Sequence, residues 1–194
     1  MQAISDFGDS AILLPLAIGL VLLVWRSQSW SAAVALLIAL AFCVTLTLLL
    51  KIGFLACSPS LHAGIVSPSG HTSFSTTVYG ALGLVAARHA PPPRLPLIIL
   101  LTSILIVCIA VSRIAIGVHT VAEVALGMLI GLVAVALFAV KYLRQRAGRI
   151  EFALLLAFAA CVLLLFHGAR LPAEEWIRQL AYLGRGVIGA CLGE

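Results

Sequence analysis

The sequence predicts an all-α integral membrane protein, one domain (1–194) built as a bundle of six transmembrane helices with a C-terminal interfacial helix. Hydrophobic residues are 63% of the chain and charged residues 10%. A mean hydropathy of +1.20 is more than a water-soluble domain of this size tolerates. The apolar residues fall in six continuous runs, at about Ala11 to Trp25, Ser31 to Leu50, Phe74 to Ala87, Leu95 to Val111, Val121 to Val140 and Phe152 to Phe166. None of them alternates like a strand or repeats every ten residues or so, so helices rather than a barrel must satisfy the backbone.

Ahead of the first run stand Asp6 and Asp9 and no basic residue, unlike a cleaved leader, so this run is expected to remain as a helix. The second run ends at Lys51. Pro68-Ser69-Gly70-His71, followed by Thr72, Ser73 and Ser75, opens the third with small hydroxyl residues suited to a helix start. Pro91-Pro92-Pro93 makes a rigid connection to the fourth, which gives way to Ser112-Arg113. The fifth run starts beside His119 and Glu123 and carries the pair Gly127 and Gly131, read as helix packing within the bundle or as a dimer contact. Beyond the sixth, Pro172 to Val187 sets Trp176, Leu180, Leu183 and Val187 opposite Glu174, Glu175, Arg178, Gln179 and Arg185. This is an interfacial helix on the outer surface or, alternatively, a solvated tail.

With six spans, one side of the membrane receives Arg26, Arg88, Arg94, Lys141, Arg144, Arg146 and Arg149, with Glu151 as its only acid. That side is expected to be cytoplasmic, which turns the polar strings and both termini outward. The net charge of +5 is thereby explained by short loops, and no soluble basic surface is left for nucleic acid. Cys43, Cys57, Cys108, Cys161 and Cys191 show no metal spacing and no disulfide framework. His62 reads as a solvated loop residue or a substrate contact, and His89 and His167 read as interfacial.

Polar side chains between apolar runs are expensive and therefore usually functional. A helix start at Ser69-Gly70-His71 would present backbone amides and a positive dipole end to an anion such as phosphate. Taken alone, it is equally a turn and cap. His119 and Glu123, four residues apart, share a helix face, so the carboxylate can take the proton of one imidazole nitrogen and leave the other as nucleophile or base. Arg113, on the connection where the fourth span ends, offers a planar fork for a tetrahedral oxyanion.

These strings resemble the second and third signature motifs of the type 2 phosphatidic acid phosphatase superfamily, Pro-Ser-Gly-His and Ser-Arg, five residues, His, three residues, Asp. Lys51 with Ser58-Pro59 has the spacing of the first, Lys, six residues, Arg-Pro. Two positions depart from the pattern: Ser58 replaces the arginine and Glu123 the aspartate. The resemblance implies metal-independent hydrolysis of a phosphomonoester or pyrophosphate on a membrane lipid, with no cofactor. It implies that His119 attacks phosphorus to give a phosphohistidine, that Glu123 orients it and that His71 protonates the departing oxygen. Lys51, Ser69, Gly70 and Arg113 would bind the phosphate, with Ser58 and His62 as further substrate contacts. A location in a bacterial-type inner membrane, with the site facing the exterior, goes with it.

Three other readings share these residues. A phosphotransferase would pass the same phosphoryl group to a lipid or sugar acceptor. A vanadium-dependent haloperoxidase has a similar constellation, against which six spans argue. A transporter or lipid-phosphate-binding protein would keep the pocket without turnover. Neither the headgroup nor the oligomeric state is readable from the sequence.

Overall fold

Each of the six apolar runs lies within a helix. The structure is a computed structural model and describes residues 1–57, 67–145, 152–169, 171, 175, 176 and 179. A short α1 (Gln2–Asp6) leads into α2 (Ser10–Ser27), α3 (Trp30–Cys57), α4 (Gly70–His89), α5 (Leu95–Ala115), α6 (Val121–Leu143) and α7 (Phe152–Phe166). No strand occurs among the described residues. Ser58 and His62 lie outside the described residues, as does most of the segment expected to form the C-terminal interfacial helix.

The expectation of six spans is narrowed. Among the described residues, four helical segments are long and apolar enough to cross a membrane: Gln2–Ser27, Trp30–Phe54, Pro92–Ala115 and Val121–Leu143. α7 is apolar but has only 15 residues. α4 has 20 residues, about 30 Å of helix, yet its composition is not that of a lipid-facing segment. Thr72, Ser73, Ser75, Thr76 and Thr77 are all buried. Three of them turn their hydroxyls back on the helix, Ser73 to Gly70 O (3.1 Å), Ser75 to Thr72 O (3.3 Å) and Thr77 to Ser73 O (2.9 Å). α4 is the inner helix, packed against α6, α5, α3 and α2.

The other helices pair an inner face with an apolar outer one. Ile12, Leu13 and Leu16 of α2 join Val78, Tyr79, Ile109 and Val162 in a core at the α4 N-terminal end, and Val24, Leu36, Val85, Phe138 and Tyr142 form a second toward its C-terminus. Leu97, Ile99, Leu100, Leu101 and Ile104 of α5 stay exposed, as lipid-facing side chains do. Beyond the second core, Arg88 donates to the carbonyls of Tyr142 and Gln145 and sits over the Tyr142 ring, while Gln28 and Tyr142 both bond His89. This network ties the ends of α2, α4 and α6 together, far from the polar strings. Cys43, Cys108 and Cys161 are free thiols.

Candidate active site

The turn between α5 and α6 sets the position of His119. α5 ends in a tight reversal in which Gly117 adopts φ +74, a left-handed conformation that glycine takes without steric cost. Val118 N–H returns to Arg113 O at 3.3 Å. Thr120 then caps α6: its hydroxyl accepts Glu123 N–H at 3.3 Å, and the Glu123 carboxylate accepts Thr120 N–H at 2.9 Å. This reciprocal pair is a capping box, and Thr120-x-x-Glu123 is its sequence signature, a signal that the motif reading passed over.

Glu123, only 4% exposed, does more than cap. Its Oε2 lies 3.1 Å from His119 Nδ1, and its Oε1 accepts Ser67 N–H at 2.8 Å. The Glu123 carbonyl also accepts Ser69 N–H at 3.1 Å. One residue therefore joins the two polar strings. An ionised carboxylate only accepts, so Nδ1 carries the proton and Nε2 carries the lone pair. The added methylene of glutamate gives this carboxylate the reach to serve the cap, the imidazole and the Ser67 loop together.

Ser69 is fully buried and caps α4, its Oγ accepting from Thr72 N–H (3.4 Å) and Thr72 Oγ1 (2.9 Å). The cap half of the sequence reading thus describes Ser69, while the first turn of α4 still presents amides and the positive end of the dipole beside Gly70 and His71. Lys51, 2% exposed, lies one turn beyond Thr47, whose hydroxyl donates to Ser73 Oγ at 3.0 Å and holds α3 against α4. Lys51, Gly70 and His71 line one cavity of about 360 Å³, whose remaining walls include Leu14, Val44, Leu48 and Phe74.

Arg113 is not on a connection, as the sequence placed it, but in the last turn of α5. It is 8% exposed and donates to Ser5 Oγ at 2.8 Å, so it is a buried partner of α1 rather than a snorkelling side chain. With His71 it lines a second cavity of about 220 Å³, which also touches Asp6 and Asp9. Asp9 Oδ2 lies 3.6 Å from His71 Nε2. The N-terminal corner was counted in the sequence only for its charge. An acid immediately ahead of the first apolar run, on the side of the polar strings, was the available signal.

Among the candidate residues, the structure thus connects His119 and Glu123 to the Ser67–Ser69 loop, and groups Lys51, Gly70, His71 and Arg113 around two cavities that share His71. Lys51 faces the first cavity, Arg113 the second and His71 both, while His119 lines neither and is tied to the group through Glu123 and the Ser67–Ser69 loop. A family model for the PAP2 superfamily matches residues 47–147, a stretch that begins at Thr47 and includes all of these candidates. No curated protein and no solved structure is significantly similar to the chain.

Proposed function

Since the chain belongs to the PAP2 superfamily, we propose that it hydrolyses a phosphomonoester or pyrophosphate on a membrane lipid through a phosphohistidine on His119. The observation that carries this reading is the Glu123 carboxylate 3.1 Å from His119 Nδ1, which leaves Nε2 as the nucleophilic nitrogen. Nε2 attacks phosphorus as the bond to the lipid oxygen breaks, and His71 gives that oxygen its proton. Water then attacks the phosphohistidine, His71 takes the proton of that water, and inorganic phosphate leaves. Lys51, Arg113 and the first amides of α4 balance the charge on the equatorial oxygens in both steps.

A lipid substrate is supported by the larger cavity. It runs from Lys51 and His71 past Leu14, Val44 and Leu48, between α2 and α3, where an alkyl or prenyl chain would find apolar walls. In this reading α4 and α7 complete a bundle of six spans in a bacterial-type inner membrane. The positive loops then face the cytoplasm and the site faces outward.

The test is phosphate release in detergent, with EDTA present, from a panel of phosphatidic acid, alkyl phosphates and polyprenyl pyrophosphate. Turnover of at least one member, reduced roughly 10³-fold or more by His119→Ala, is expected. Equal release by the two proteins across the panel would contradict the reading. With intact cells and an impermeant short-chain substrate, phosphate should appear outside, and release only after permeabilisation would invert the topology.

A further inference from the structure

The corner between α1 and α2 is built against His71. Tyr79 Oη donates to Phe7 O at 2.8 Å, which fixes the corner to α4. At Gly8 a Cβ would lie 2.8 Å from Ile109 Cγ2 and 3.6 Å from His71 Cβ, so the backbone comes as close as it does because glycine has none. Asp9 is buried, and its Oδ1 accepts both Ala11 N–H at 2.9 Å and Leu171 N–H at 3.1 Å. With Oδ1 engaged by two backbone amides, Oδ2 faces His71 Nε2 at 3.6 Å. A helix cap needs a single acceptor, which Ser or Asn supplies equally well. The second oxygen, directed at an imidazole 62 positions away, is not explained by capping.

A site that gathers cations for phosphate creates a difficulty for its own acid. The charged groups around His71 are Lys51 from α3, Arg113 from α5, and Asp6 and Asp9 from the N-terminal segment, all lining one or other of the two cavities that His71 shares. Positive neighbours disfavour an imidazolium, whereas an adjacent carboxylate favours it. We propose that Asp9 is a positioning residue for His71: it holds Nε2 beside Lys51 and Arg113 and leaves Nδ1 to serve the leaving oxygen. The proposal rests on the reading of His71 as the proton donor. In the transfer, the Nδ1 proton passes to the lipid oxygen as the phosphorus–oxygen bond breaks, and His71 is left neutral with its remaining proton on Nε2, toward Asp9. Deprotonation of the attacking water then returns a proton to Nδ1. Asp9 lies ahead of the stretch matched by the family model, so this role is read from the structure alone.

Asp9→Ser and Asp9→Asn both retain a capping side chain and remove the charge. Each is to be compared with wild type and with His71→Ala on a long-chain alkyl phosphate, whose leaving oxygen needs a proton, and on 4-nitrophenyl phosphate, whose leaving oxygen does not. For the Asp9 variants, kcat on the alkyl phosphate is expected to fall about 10- to 100-fold with KM little changed, and kcat on the aryl phosphate less than about 3-fold. Asp9→Glu should recover part of the loss. Equal losses on both substrates would reduce Asp9 to a cap and overturn the proposal. If His71→Ala itself shows no dependence on the leaving group, the acid reading falls and takes the proposal with it. If His71→Ala shows that dependence and the Asp9 variants do not, only the proposal for Asp9 is lost.

Discussion

Glu123→Gln is expected to lower kcat by about 10²- to 10⁴-fold while the protein remains folded. Three donors converge on this carboxylate: His119 Nδ1–H, Thr120 N–H and Ser67 N–H. An amide of the same shape has one oxygen and one NH₂, so the NH₂ must face either Ser67 N–H or both His119 Nδ1–H and Thr120 N–H. If the NH₂ faces His119, it drives the ring proton to Nε2 and removes the lone pair from the attacking nitrogen. If it faces Ser67, the loop ahead of α4 loses its hold and His119 still loses its counter-charge. Glu123→Asp should also lose activity, by about 10-fold, because the carboxylate retracts by about 1.5 Å and cannot serve both Ser67 and His119. That outcome would be notable because aspartate is the usual residue of the family at this position. Turnover assays paired with thermal unfolding in detergent check both variants, and a fully active Glu123→Gln protein would remove the basis for His119 as an oriented nucleophile.

The second large effect is expected at the seam between α4 and α6. A Cβ on Gly131 would sit 2.5 Å from Thr76 Cβ and 2.6 Å from Ser73 O, and one on Gly127 would sit 2.6 Å from Ser69 O. Backbone oxygens cannot rotate away as a flexible side chain can. Gly131→Ala should therefore destabilise by about 1–3 kcal/mol, and Gly127→Ala by a similar amount, as the helices part. Because Ser69 N–H and Glu123 O are bonded across this seam at 3.1 Å, the displacement should reach the site and lower kcat as well. Leu129→Ala, at a position 58% exposed on the outer face of α6, serves as the control and should change neither. Wild-type unfolding temperature and activity in Gly131→Ala would mean that the helices are not held at this distance. The glycine pair is committed to packing inside the bundle, which resolves the choice that its spacing left open.

The helices were legible because continuous apolar runs leave the backbone no alternative to α-helix in a lipid environment. Their roles were less so. The third run looks like the others by position, but its row of Ser and Thr residues makes it less apolar than the rest and marks α4 as the helix enclosed by its neighbours. The pairing of His119 with Glu123 was legible because it is local, one helical turn apart. Two features were hidden for the opposite reason. Ser5 and Asp9 meet Arg113 and His71 only through tertiary packing, and no spacing rule links positions so far apart. The glutamate at 123 looked like a departure from the motif, but the capping box with Thr120 and the bond from Ser67 give it work for which its length is suited.

The central claim is that His119 Nε2 becomes phosphorylated during turnover. Rapid-quench labelling with a substrate carrying ³²P in the transferred phosphate measures this directly. The account predicts a transient label on the protein that survives alkali, is lost in acid, maps to His119 and is absent from His119→Ala. Turnover by the wild-type protein with no protein-bound label at any quench time, or the same label on His119→Ala, would contradict it.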